Sequence, residues 1–225
     1  VSIVRAAYTD FDLETLLAPL GGLSAFVRAN EKVLLKVNLL SAKAPAKAVT
    51  THPEFVREVA RAVKKAGGAP YVGDSPAGPF AQRALDRAYR RSGFEKMADE
   101  EAIVLNRETG AAKVAIPGAK RLKRAPICDF MLKADKVIGL PKLKTHAFQY
   151  LTLACKIMYG VVPGLTKAKY HARFPQRESF ADMMLDLLAV AKPHLFIMDG
   201  IVGMQGQGPG SGEPVETKVA LASTD

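Results

Sequence analysis

Short apolar runs alternate along the chain with segments whose apolar residues recur every three or four positions. That is the pattern of a parallel sheet with crossover helices. The runs at 2–8 (SIVRAAY), 32–40 (KVLLKVNLL), 69–74 (APYVGD), 136–140 (KVIGL), 194–200 (HLFIMDG) and 218–222 read as strands. Helical periods fall at 13–28, broken at Gly21-Gly22, then between Thr51 and Gly67, at 80–93, around 150–158 and at 179–191. Thr51 with Glu54 three positions on has the form of a capping box, and Pro53 suits a first helical turn. The stretch 102–118 departs from the rhythm: two strand-like runs flank Glu108-Thr109-Gly110, which predicts an inserted hairpin. The expected fold class is therefore α/β, with a mainly parallel Rossmann-like sheet, flanking helices and an inserted β-hairpin. One domain over residues 1–225 accommodates it, and the ending VALASTD, directly after a strand pattern, suggests a fragment of a longer protein.

In open sheets of this kind, ligands bind beyond the carboxyl ends of the strands. The polar residues that follow the apolar runs are Asn38, Asp74, Lys142, Asp199 and Asp225. In VGDSPAGPF (72–80), Asp74 and Ser75 precede a Pro/Gly turn and a helix start whose free N–H groups suit an anion. The stretch is neither a P-loop nor a dinucleotide fingerprint, and an Asp-Ser pair is also ordinary turn chemistry. LPKLKTHAF (140–148) sets Lys142, Lys144 and His146 at alternate positions, so an extended chain points all three the same way. Lys156 stands alone among Leu151, Leu153, Ala154, Cys155, Ile157 and Met158, where a charge needs a reason. In KYHARFP (169–175), His171 and Arg173 are spaced to share a side of an extended loop. The glycine-rich run 197–214, with Asp199 at its root, permits close backbone approach to a ligand or simple mobility.

These positions predict one site. Lys142, Lys144, Asp74, Ser75, Asn38 and Arg173 would bind an anionic substrate, His146, His171 and Lys156 would carry the chemistry, and Asp199 would ligate a metal or orient a cation.

Composition sharpens the choice of partner. Lys plus Arg number 32 against 22 acidic residues, a formal charge of +10 that favours an anionic ligand. Nucleic acid is disfavoured: there is no Trp, and no basic run is interleaved with aromatics. Part of the excess lies on a solvated helix face, REVARAVKK (57–65). No apolar run approaches the ~20 residues of a membrane span, and no signal peptide opens the chain. Cys128 and Cys155 have neither disulfide-framework nor metal spacing, which suggests a reducing, cytoplasmic setting.

The segments KVNLL (36–40), THPE (51–54), GDSP (73–76), LPKLKTH (140–146), TLACKIMYGVVPG (152–164), YHARF (170–174) and DGIVGMQGQGPGSG (199–212) resemble, in order, a family known as domain of unknown function 362. The resemblance implies no established reaction. Members often carry a two-cluster ferredoxin segment with C-x₂-C-x₂-C-x₃-C spacing and are labelled iron–sulfur proteins for it. This chain has no such run, so the resemblance allows clusters only through a segment outside it, or a ferredoxin-like partner. The family pattern has a proline where Val37 stands and an acidic residue in the region of Gln205, while Lys156 fits it. A shorter likeness, in the order histidine, glycine-rich helix, lysine, proline-glycine, is to the nickel-pincer lactate racemases. Two readings follow: an enzyme acting on a small anionic molecule, redox-linked in one version, or a non-catalytic module that docks an iron–sulfur protein or holds a cofactor intermediate.

Overall fold

The structure, a computed structural model, describes residues 1–224; Asp225, expected at a strand end, lies outside the described residues. The elements run β1 (Ser2–Arg5), α1 (Leu13–Leu17), β2 (Lys32–Val37), α2 (Pro53–Lys65), β3 (Ala69–Gly73), α3 (Gln82–Ser92), α4 (Phe94–Glu101), β4 (Val104–Leu105), β5 (Ala111–Ala115) and β6 (Arg124–Cys128). They continue with α5 (Asp129–Leu132), β7 (Lys136–Leu140), β8 (Lys142–His146), β9 (Tyr150–Thr152), α6 (Ala154–Ile157), α7 (Gly164–Arg173), α8 (Arg177–Ala191), β10 (Leu195–Gln205) and β11 (Glu213–Ser223).

Four of the expected strands lie side by side and parallel, in the order β10-β7-β2-β3. β4 extends one edge in parallel, and β11 and β1 complete the other edge antiparallel. Alternation along each strand explains the two cores. Val33, Leu35 and Val37 enter the cluster built with Phe55, Val59 and Val63 of α2 and Leu85 and Tyr89 of α3. Leu34 points the other way, into the cluster with Met158, Phe180, Met183 and Leu187. Lys36 shares the parity of Leu34 and is therefore driven into the second core, completely buried. Among the described residues no helix is long and apolar enough to cross a membrane.

Five local expectations change. The runs 102–105 and 111–115 do not pair with one another: β4 joins the main sheet, and β5 pairs with β6 in a separate two-stranded sheet, so the hairpin spans 111–128. The cap of α2 is His52, whose Nδ1 accepts from Glu54 N at 3.3 Å. Thr51 is buried and spends its hydroxyl between strand ends instead, accepting from Asn38 N at 2.9 Å and donating to Leu140 O at 2.6 Å. Residues 150–152 are strand, not helix, because they return antiparallel along β8. Much of the glycine-rich run 197–214 is the ladder between β10 and β11, with a turn at 206–212. KYHARFP lies largely within α7, so His171 and Arg173, two apart on a helix, diverge.

Candidate functional site: a lysine-lined cleft at the strand ends

The foundation of the site is a buried ion pair. Lys36 Nζ lies 2.8 Å from Asp74 Oδ1 and also donates to Val37 O at 3.0 Å and Ile157 O at 3.1 Å. Asp74 in turn accepts from Leu39 N at 2.6 Å and Ser75 N at 2.8 Å. This fixes the loops after β2 and β3 to each other. Gly160 closes the arrangement from the segment after α6: its carbonyl accepts from Ser75 N at 3.0 Å, and any Cβ there would overlap Asp74 Oδ1 and come within 2.5 Å of Lys36 Nζ. Only glycine lets that backbone lie directly on the pair.

Above the pair opens a cleft of ≈ 80 Å³, lined by Asn38, Asp74, Ser75, Lys144, His146, Thr152, Lys156, Tyr159, Lys167 and Pro209, among others. About 10–15 Å³ of such space admits one water, so several waters or one small anion fit. Lys144 is buried, and its three N–H groups are all taken, by Asn38 Oδ1 at 3.1 Å, Val49 O at 2.6 Å and Pro209 O at 3.2 Å. Burial pushes this amine down to about 7, against the pull of Asp74. His146 accepts at Nδ1 from Phe148 N (3.1 Å) and Gln149 N (3.2 Å). Burial and the neighbouring Lys156 hold the ring down to about 4. It is therefore neutral near pH 7 with its proton on Nε2, a donor rather than a base.

The unspent donors belong to four other side chains. Lys156 makes no hydrogen bond or ion pair among the described residues; its Nζ rests on the rings of Tyr159 at 4.8 Å and Phe180 at 5.2 Å. Lys167, three residues into α7, donates to Ser75 O and keeps two N–H groups free. Burial pushes both amines down to about 8, and each is further lowered by a lysine neighbour, Lys167 for Lys156 and Lys36 for Lys167. The hydroxyls of Ser75 and Thr152 line the cleft, buried and without a hydrogen-bond partner among the described residues. Lys36, Lys144 and Lys167 thus stand about Asp74, the one carboxylate lining the cleft among the described residues, while Lys156 has Lys167 as its charged neighbour.

Four of the expected site residues, Lys142, Asp199, His171 and Arg173, stand elsewhere. Lys142 points to the same side as Lys144 but meets Asp199 at 2.8 Å and Tyr8 Oη at 2.8 Å, outside the cleft. Asp199, expected as a metal ligand, is filled by donors: Lys142, Tyr8 Oη at 2.9 Å, His52 N at 2.9 Å and Ile201 N at 3.3 Å. No group of three or more His, Cys, Asp or Glu side chains that could hold a metal occurs among the described residues. His171 does not line the cleft; it stacks on Phe180 at 4.5 Å, behind Lys156, and burial lowers its pKa. Arg173 lies over Phe174 and lines a different groove, with Lys113, Lys123, Arg124 and Tyr170. Sequence reading missed Lys36, Thr152 and Lys167. Lys36 carried a usable signal, a lysine inside an otherwise apolar strand, the same signal that marked Lys156. Lys167 carried none, being one of several lysines in 164–173.

A family model described as Domain of unknown function (DUF362) matches residues 33–225. The thylakoid-associated protein sll1697 of Synechocystis sp. is 35% identical over 214 residues, covering 95% of this chain. The chain spans 65% of that relative's length, less than two thirds. Among solved structures, the lactate racemase apoprotein from Thermoanaerobacterium thermosaccharolyticum matches with a TM-score of 0.55 at 15% identity, over 89% of this chain and 47% of that one. At that identity the likeness is one of fold, a helix-flanked α/β sheet. With the family match running from the first residues of β2 through the last described strand, the chain belongs to the domain of unknown function 362 family.

Proposed function

We propose that the cleft is the substrate site for a small anionic molecule, held by Lys156, Lys167, Ser75, Thr152 and the Nε2–H of His146. The observation that carries this reading is the surplus of unspent donors: two amines and two buried hydroxyls without acceptors, all facing one small space. Unmade hydrogen bonds of buried groups cost about 1–3 kcal/mol each, and an anion would satisfy several at once. Lys144 and Lys36, with every N–H engaged, brace the site rather than hold the ligand. A small carboxylate is the first class to try, the class to which the lactate in the fold neighbour's name belongs.

Thermal melts in sulfate, phosphate and lactate test the proposal. A ligand at 100 times its Kd contributes about 2.7 kcal/mol, which for a domain of this size raises Tm by about 5–10 °C. Lys156→Ala and Lys167→Ala should lose most of that shift, whereas Arg173→Ala, in the other groove, should keep it. Equal shifts in all three variants would mean general salt effects and no site.

Arg173 supports a second reading. With Lys113, Lys123 and Arg124, none of them ion-paired to a carboxylate among the described residues, it forms a cationic surface suited to an acidic partner module, such as a ferredoxin-like one with the C-x₂-C-x₂-C-x₃-C run that this sequence does not contain. The two free thiols fit a reducing compartment, for which we propose the cytoplasm.

A further inference from the structure

We propose that Lys156 is an amine nucleophile that condenses reversibly with the carbonyl carbon of a small 2-oxo acid bound in the cleft. The inference rests on the anion-binding reading, because the carboxylate of the oxo acid takes the place of that anion. Lys36, Lys142 and Lys144 each meet a side-chain oxygen within 3.1 Å and end in a fixed hydrogen-bonded position. Among the described residues, Lys156 alone of the largely buried amines about the cleft has no oxygen partner; ring faces of Tyr159 and Phe180 wall it in. The neighbouring charges are of its own sign, and the Asp74 oxygens are consumed by Lys36, Leu39 N and Ser75 N. Such desolvation beside another cation is how an amine is kept neutral enough to attack. The lowering to about 8 agrees with the geometry. At pH 8 it implies a neutral fraction about 100-fold above that of a lysine at the ordinary value of about 10.4.

The rest of the cleft fits the second half of the ligand. Lys167 and the hydroxyls of Ser75 and Thr152 supply donors for a carboxylate, and His146 Nε2–H supplies one for the oxygen on the reacting carbon. The step balances without a co-reactant. The ammonium first releases one proton to water; the lone pair of Nζ then forms the C–N bond as the carbonyl π electrons move to oxygen, and that oxygen leaves as water with the two remaining amine protons. Neutral amine plus oxo acid becomes imine plus water, and return of the first proton gives the iminium that borohydride reduces.

The test is borohydride trapping on the whole chain with glyoxylate or pyruvate, followed by peptide mass mapping. The expected result is a stoichiometric reduced adduct at Lys156, formed about tenfold or more faster than at exposed lysines, abolished in Lys156→Arg and slowed by sulfate and in Lys167→Ala. Mapping on the unaltered chain keeps the test valid even if a variant folds poorly. Adducts spread evenly over exposed lysines would overturn the proposal. If sulfate still raises Tm while Lys156 stays unmodified, the imine fails and the anion site stands; if neither occurs, both fall.

Discussion

Removing the Asp74 carboxylate should damage the fold more than any other single change at the cleft. In Asp74→Ala the Lys36 ammonium stays wholly buried with only the carbonyls of Val37 and Ile157, and Leu39 N loses its acceptor. Breaking a buried pair from one side costs about 3–5 kcal/mol, a large part of the ~5–15 kcal/mol that holds a domain together. The attraction of Asp74 for Lys144 and Lys167 is lost as well, so the cations face one another unopposed. Lys36→Met should cost less, because it removes a cation and leaves Asp74 with its two backbone donors. Urea unfolding of the two singles and the double Lys36→Met/Asp74→Ala would measure this as a double-mutant cycle. We expect Asp74→Ala to exceed Lys36→Met and the double to fall short of their sum by about 2 kcal/mol or more. Additivity within about 0.5 kcal/mol, or a loss below about 1 kcal/mol for Asp74→Ala against the ~3 expected, would refute the reasoning.

The depressed lysines give a signed pH dependence. Lys144, Lys156 and Lys167 sit at about 7, 8 and 8 in the folded chain, below their unfolded values; the unfolded chain then binds more protons across that interval, so ligand-free stability should rise as pH climbs from about 7 towards 10. The sulfate-induced rise in Tm should run the opposite way, largest below pH 7 and fading above 8, and melts showing the same sulfate effect at pH 6 and pH 9 would contradict it. Gly160→Ala should cost about 1–3 kcal/mol or more from overpacking, because the added methyl has no room beside Asp74 and Lys36; unchanged urea unfolding would show that the backbone there is not so tightly seated.

What could be read in advance divides along physical lines. The parallel strands were legible because a strand buried on both faces must be apolar almost throughout, as β2, β7 and β10 are. The common edge followed from polarity alone, and Asn38, Asp74, Ser75, Lys144, His146 and Lys156 do gather at one cleft. Alternation says which way a side chain points but not what it meets. Lys142 and Lys144 share a direction, yet two residues apart they meet different partners, Asp199 with Tyr8 in one case and Asn38 with Pro209 in the other. His171 and Arg173 were misplaced because helix and extended loop fit a segment as short as KYHARFP equally well, and the two periods send i and i+2 to different sides. Lys167 entered the site through a tertiary contact with the Ser75 carbonyl that no local pattern announces.

Tyr8 precedes the region that the family model matches by more than twenty residues, for that match begins at residue 33. Its hydroxyl nevertheless sits between Lys142 and Asp199, its ring stacks on His52 at 3.7 Å, and β1 just before it closes the edge of β11. A chain trimmed to the shared region would keep every residue of the cleft and yet open a buried charge pair to water and bare a strand edge. The family model and the mechanical unit therefore have different borders in this protein. Residues 1–32 act as a clamp whose removal should register at the strand beside the cleft before it registers anywhere in the shared core.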